Sequence, residues 1–200
     1  MNILITGASG FIGSFLCEEA LRRGMSTWAG MREHSSRKWL QQEKLHFAFL
    51  DMTDADKLHS QLEGYKKKAG KWDVVIHAAG ATKCLRREDF MKNNYECTRN
   101  LVNTLEALDM LPSQFLYLSS LSVLGPIHEE MRADGSYPDL LDTDEPQPNT
   151  AYGESKVASE RFLEQKRAET GGRFCYTIFR PTGVYGPREK DYFMMAQSIK

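Results

Sequence analysis

Short, almost uninterrupted apolar runs separated by stretches of helical period most narrowly limit the folds open to this chain. Val74-Val75-Ile76-His77-Ala78-Ala79 and Phe115-Leu116-Tyr117-Leu118-Ser119 lack the polar alternation of a half-exposed strand, so they read as strands covered on both faces. Met1 to Thr6, Met25 to Met31, Leu45 to Leu50 and Cys175 to Phe179 read as further strands. Between them, Phe11 to Arg23 carries Phe11, Ile12, Phe15, Leu16 and Ala20 at helical spacing and is ended by Gly24. Asp54 to Tyr65, about Glu88 to Leu108, and Tyr152 to Glu169 read as helices, the last stopped by Gly171-Gly172. Regular β-α alternation predicts an α/β fold with a parallel, doubly wound sheet and flanking helices.

A hydrophobic content of 41% with 26% charged residues suits one globular core. Twenty-six Lys and Arg against twenty-seven Asp and Glu give a net charge of −1, which supplies no field for a nucleic-acid backbone. No apolar run approaches the roughly 20 residues of a membrane span, and the opening residues read as a strand entering a turn rather than a signal peptide. Cys17, Cys84, Cys97 and Cys175 are far apart, with no spacing for zinc, and are expected to be free thiols in a cytoplasmic protein without a metal. The stretch from Gly125 to Thr150, with Pro126, Pro138, Pro146 and Pro148, breaks the alternation and reads as a long functional loop, a disordered insertion being the alternative.

Gly7-Ala8-Ser9-Gly10-Phe11-Ile12-Gly13 joins the first strand to the first helix. A helix start presents free N–H groups and partial positive charge, and closely spaced glycines let a diphosphate approach the backbone. The spacing G-x-x-G-x-x-G is one residue longer than the G-x-G-x-x-G fingerprint, but it meets the same demands for a tight turn and close packing. At the end of the second strand stands Arg32, followed by Glu33, Arg37 and Lys38. An arginine there suits the 2′-phosphate of NADP better than the bare ribose of NAD, so NADP(H) is favoured and NAD(H) remains open.

Tyr152-Gly153-Glu154-Ser155-Lys156 places a phenol and an ammonium four residues apart on one helix face. A nearby Lys charge favours the phenolate and is expected to lower the tyrosine pKa toward a useful value. Ser120, at the end of the fifth strand, can offer a hydroxyl to a substrate oxygen.

Together, the glycine turn, Asp51-Met52, His77-Ala78-Ala79-Gly80, Asn94, Ser119-Ser120, Tyr152/Lys156 and Arg180-Pro181-Thr182-Gly183-Val184-Tyr185-Gly186-Pro187 resemble the extended short-chain dehydrogenase/reductase family. The similarity is to its NAD(P)-dependent epimerase/dehydratase branch and covers essentially the whole chain. It implies a Rossmann-type fold in which Tyr152 is the general acid/base, Lys156 its tuner and nicotinamide-ribose ligand, and Ser120 the substrate-oxygen partner, with Ser119 and Ser122 as alternatives. Asn94 would support the site geometry. Asp51 and Met52 would lie at the adenine, Ala78, Ala79 and Gly80 along the adenosine and phosphate, and Pro181 and Val184 beside the nicotinamide. His77 is expected to make a structural hydrogen bond.

The resemblance implies hydride transfer between nicotinamide and a carbon of a small-molecule substrate. Arg32 favours an NADP(H)-dependent reductase over an NAD-retaining nucleotide-sugar epimerase, and Leu121-Ser122 replace the acidic pair expected of a 4,6-dehydratase. A non-catalytic dinucleotide sensor or assembly subunit is the alternative of another class. The expected organisation is one NAD(P)-binding domain over residues 1–200, with the C-terminal substrate lobe truncated or absent. A homodimer through the helices beginning near Glu88 and Tyr152 is a further possibility from the family.

Overall fold

The computed structural model describes residues 1–126 and 131–199. Six strands, β1 (Asn2–Thr6), β2 (Ser26–Met31), β3 (His46–Phe49), β4 (Val74–His77), β5 (Gln114–Leu118) and β6 (Tyr176–Phe179), form one sheet. Its order is β3-β2-β1-β4-β5-β6, and every neighbouring pair is parallel. One row of paired residues runs across it: Ala48, Gly30, Thr6, His77, Tyr117 and Ile178. Just beyond this row the chain leaves the carboxyl ends of the strands. The order reverses between β1 and β4, which opens a crevice where their connections diverge to opposite sides.

Side chains of successive strand residues point to opposite faces, and the two faces build two cores. Leu4, Leu50, Val75 and Phe115 pack with Leu58 and Leu62 of α2 (Ala55–Ala69), Leu101 and Leu105 of α4 (Cys97–Ala107) and Leu163 of α5 (Ala151–Glu169), around the fully buried Trp72 and Phe174. Ile3, Ile5, Ala29 and Met31 pack with Cys17 and Ala20 of α1 (Phe11–Arg22). Leu101, Leu105 and Leu163 are thus spent on the sheet. Of β6, Thr177 and Phe179 remain exposed, as does most of α6 (Asp191–Gln197).

Local signals place the helix ends. Asp54 caps α2 by accepting from Lys57 N–H at 3.0 Å, and Thr150 caps α5 by accepting from Gly153 N–H at 3.0 Å. The helix expected from about Glu88 to Leu108 is one helical run with a fault in it. The short α3 (Arg87–Phe90) passes into a π turn (Met91–Glu96) and then into α4. Such turns insert one residue into the helix and often mark functional sites. The fourth strand ends at His77, two residues earlier than its apolar run suggests, so that Ala78 and Ala79 belong to the crevice. Within the proline-rich stretch 125–150, residues 127–130 lie outside the described residues. Its two ends are pinned together, with Gln147 N–H donating to Val123 O at 3.0 Å, and the described part contains no helix or strand. No helix among the described residues is long and apolar enough to cross a membrane.

Candidate active site

The glycine turn lies in the crevice and is built for close approach. Gly7 has φ +68°, and a Cβ on it would stand 2.7 Å from both Ala78 O and Ala79 N. A Cβ on Gly13 would come within 2.7 Å of the Gly7 carbonyl carbon and 2.9 Å of Ala8 Cα. The backbone of the turn therefore touches the β4 exit and its own helix with no side chain between. The first described hydrogen bond of α1 runs from Ser14 N–H to Gly10 O at 3.0 Å, which leaves the N–H groups of Phe11, Ile12 and Gly13 at the helix start for a guest. A cradle of main-chain donors at a helix N-terminus fits a dinucleotide diphosphate.

To one side of the turn, a groove of about 260 Å³ is lined by Gly30, Arg32, Ser35, Asp51, Met52 and the segment Ala78 to Ala81. Asp51 accepts from Thr53 Oγ at 2.7 Å and from Lys57 Nζ at 2.9 Å, and the Thr53 and Lys57 donors hold its carboxyl below the usual carboxylate value. Asn100 of α4 donates to Met52 O at 2.9 Å and fixes this wall from behind. The cationic group expected around Arg32 is divided. Arg37 instead lies over the Phe47 and Phe49 rings of β3, 4.6 and 5.1 Å from their centroids, and Lys38 stands over Trp39. Arg32 alone of the three lines this groove.

To the other side opens a cleft of about 840 Å³ that shares Gly7, Ser9, Gly10, Ala78 and Gly80 with the groove. Phe11, Ile12, Gly13, Ser120, Tyr152, Lys156, Pro181 and Val184 all line it. All the residues singled out for cofactor and for chemistry except the buried Asn94 are thus brought into one continuous crevice, although they span almost the whole sequence. Three consecutive residues at the end of β5 each meet α5. Lys156 Nζ donates to Leu118 O at 2.8 Å, Ser119 Oγ donates to Glu160, and the Ser120 hydroxyl lies against the Tyr152 phenol. Ser122 donates to Ser120 Oγ through both its N–H, at 3.2 Å, and its hydroxyl, at 3.0 Å. Ser120 therefore faces the cleft, whereas Ser119 is committed to Glu160 and Ser122 serves as a support.

Electrostatics in the cleft differ from the sequence expectation. Burial raises the Tyr152 phenol above its ordinary value, and the hydrogen bond from Ser120 offsets only part of this. Lys156 is nine-tenths buried or more, and desolvation brings its ammonium down to about 8, with the Glu160 charge opposing that fall. Its Nζ lies 4.8 Å from the Tyr117 ring centroid and 5.8 Å from that of Tyr152. The lysine charge does not bring the tyrosine below its usual value here, because the same burial that concentrates the charge also penalises the phenolate.

His77 takes no part in the cleft. Its Nδ1 is 2.7 Å from Thr6 Oγ and its Nε2 is 3.0 Å from Thr98 Oγ, and burial, with the Lys156 charge adding to it, lowers its pKa to about 3. Asn94, in the π turn, is buried. Its amide donates to Ala81 O at 3.1 Å and Ser155 Oγ at 2.9 Å, and its Oδ1 accepts from Ala81 N–H at 2.7 Å. It fastens the segment after β4 to α5, beside Lys156.

Two features carry no clear mark in the sequence. Arg180 makes a two-pronged ion pair with buried Glu160, Nε to Oε1 at 3.1 Å and Nη2 to Oε2 at 2.8 Å. The spacing Tyr152, Lys156, Glu160 repeats every four residues and was the available signal. Arg188, a non-glycine residue at φ +77°, donates to Ser14 Oγ at 3.0 Å and Glu18 Oε1 at 2.6 Å and covers the Phe15 ring at 4.1 Å. It ties the segment that carries Pro181 and Val184 down onto α1.

A family model described as the NAD dependent epimerase/dehydratase family matches residues 3–200. The chain belongs to that family. Among curated epimerase/dehydratase relatives it is 28% identical to ADP-L-glycero-D-manno-heptose-6-epimerase of Cupriavidus pinatubonensis, over 100% of this chain and 56% of that protein. It is 26% identical to the decarboxylating sterol-4-alpha-carboxylate 3-dehydrogenase of Dictyostelium discoideum, over 96% of this chain and 57% of that protein. The chain thus spans little more than half the length of these two relatives. The dTDP-glucose 4,6-dehydratase of Bacillus anthracis, solved in complex with NAD, shares the fold with a TM-score of 0.79 at 17% identity, covering 100% of this chain and 61% of that one. Members of an epimerase/dehydratase family share a Rossmann-type sheet, as this chain does, while their named substrates differ widely.

Proposed function

We propose that this domain transfers hydride between a nicotinamide dinucleotide and a carbonyl or hydroxyl carbon of a small molecule, most readily as an NADP(H)-dependent reductase. The observation that carries the reading is the meeting of Ser120, Tyr152 and Lys156 in a cleft continuous with the glycine cradle. The Phe11 to Gly13 N–H groups would hold the diphosphate, Arg32 the adenosine ribose phosphate, and Pro181 and Val184 the nicotinamide side. When bound, the reduced cofactor supplies the hydride.

The remaining work falls to this chain's own side chains. Ser120 Oγ holds the substrate oxygen, and Tyr152 gives that oxygen a proton as negative charge develops on it. A phenol whose pKa stands above its ordinary value holds its proton until the substrate asks for it, which suits the reducing direction. Lys156 stabilises the phenolate left behind, and Asn94 keeps the Gly80-Ala81 wall in place next to it.

The test is nicotinamide fluorescence with NADPH and NADH, followed by oxidation of NADPH with a panel of aldehydes and ketones, on the wild type and on Tyr152→Phe. The expected result is retained binding and turnover at least about a hundredfold lower in the variant. Equal turnover would remove Tyr152 from its role, and binding without turnover of any carbonyl would favour a dinucleotide-binding module. Tight NADH binding with no preference for NADPH would move the reading to an NAD-retaining epimerase.

A further inference from the structure

We propose that Glu160 is a positioning residue for the Tyr152/Lys156 pair, tying the end of β5 to α5 and supplying the negative charge that keeps Lys156 protonated. Glu160 is one helical turn beyond Lys156, as Lys156 is one turn beyond Tyr152, so the three share a face of α5. That face is pressed against the last residues of β5. Leu118 receives Lys156 through its carbonyl, and the next residue, Ser119, donates its hydroxyl to Glu160 Oε1 at 2.5 Å. The one after that, Ser120, meets Tyr152. Any shift of the Glu160 contact therefore changes the reach of Ser120 to Tyr152, because the two serines are adjacent in an extended segment.

The carboxylate also joins a third element of this corner. Arg180, the residue after β6, holds both Glu160 oxygens. Ser119 N–H donates to Phe179 O at 2.8 Å and Leu121 N–H to Pro181 O at 2.9 Å, so the β5 and β6 ends move as one piece. A buried ion pair contributes little net stability against apolar packing, and its use is more often in fixing geometry and charge. Here the carboxylate also acts on Lys156. Around Glu160 stand Lys156 on its own helix, Tyr117 of β5 and Ser119 just after it, and Tyr176 of β6 and Arg180 just after it, with Asp142 of the loop facing Arg180. Around Lys156 stand Tyr117, Tyr152, His77 and Glu160. Among the described residues around Lys156, Glu160 is the one carboxylate, and its attraction opposes the desolvation that would otherwise discharge the lysine.

The inference rests on the Tyr152/Lys156 reading for its catalytic meaning, but its test needs neither cofactor nor turnover. The Lys156 side chain is titrated by NMR in lysine-labelled protein, with Lys156→Met locating the signal, in the wild type, Glu160→Gln and the doubly neutral Glu160→Gln/Arg180→Gln. Removing the negative charge is expected to lower the Lys156 midpoint by at least about one pH unit, a tenfold change in its protonated fraction. A merely structural role predicts the opposite, since a loosened corner admits water and returns the lysine toward its ordinary, higher value. The double variant removes the unpaired Arg180 charge that the single variant leaves and carries an expectation of the same direction if the single variant fails to fold. An unchanged or raised midpoint in the folded variant overturns the proposal. Absence of hydride transfer with a lowered midpoint would instead overturn the functional reading and leave the role of Glu160 standing.

Discussion

The Lys156 ammonium lies 2.8 Å from the Leu118 carbonyl oxygen, a single main-chain acceptor for a charged group that is only 4% exposed. That arrangement is costly to the fold. In the unfolded chain the lysine titrates near 10.5, and in the folded one near 8. Between these values the unfolded chain binds a proton that the folded chain does not, so the cost is fully present below pH 8 and fades as the pH rises to 10.5. Lys156→Met is expected to stabilise the protein at pH 7 by up to about 3 kcal/mol and by much less at pH 10. Urea denaturation at the two pH values measures this, and equal stability of variant and wild type at pH 7 would contradict it.

A second expectation concerns acid. His77 is neutral in the fold, with its pKa lowered from 6.5 to about 3. Unfolded histidine takes up a proton below 6.5, so stability present at neutral pH is lost as the pH falls from 6.5 toward 3. His77→Gln should lose about 1–3 kcal/mol at pH 7 through the bonds to Thr6 and Thr98, yet show a shallower decline between pH 6.5 and 4. Parallel curves for the two proteins would show that another group governs the acid limb.

The glycine cradle offers a test of steric demand. A methyl group at Gly13 would meet backbone of Gly7 and Ala8, not a flexible side chain. Gly13→Ala is expected to cost on the order of 1–3 kcal/mol and to weaken dinucleotide binding at least about tenfold, because helix and turn must separate to admit the Cβ. Wild-type affinity in this variant, measured by nicotinamide fluorescence, would argue against a diphosphate at the turn.

Cofactor preference is assigned to one arginine out of two. Arg32 lines the groove beside the glycine turn, while Arg37 is spread over Phe47 and Phe49. Arg32→Ala should narrow the preference for NADPH over NADH by at least about tenfold, or 1.4 kcal/mol, whereas Arg37→Ala should leave the ratio unchanged. The reverse pattern in paired titrations would place the phosphate on the other side of the loop.

Much of this architecture was written in local pattern. The parallel sheet followed from near-continuous apolar strands such as Val74 to Ile76, and the ends of α1 and α5 from Gly24 and Gly171-Gly172, whereas α2 runs on to Ala69, past the Tyr65 expected. The cradle of Gly7, Gly10 and Gly13 and the pair Tyr152/Lys156 were legible for the same reason: backbone crowding and helical spacing act over a few residues. The π turn at Met91–Glu96 was not, because one inserted residue leaves the apolar period nearly intact while turning Asn94 inward.

What the sequence alone determined was therefore the α/β class, the close-packed glycine turn and which side chains are candidates for chemistry. The tertiary structure decided which hydroxyl is available, since Ser119 and Ser120 both line the cleft but Ser119 is held by Glu160 while Ser120 meets Tyr152. It also decided that Arg32 and not Arg37 lines the groove beside the glycine turn, and that Tyr152 holds its proton more firmly than an exposed phenol. Each of these depends on burial and on partners distant in the chain. Desolvation and ion pairing are set by what surrounds a group in space, and spacing along the chain carries no record of them.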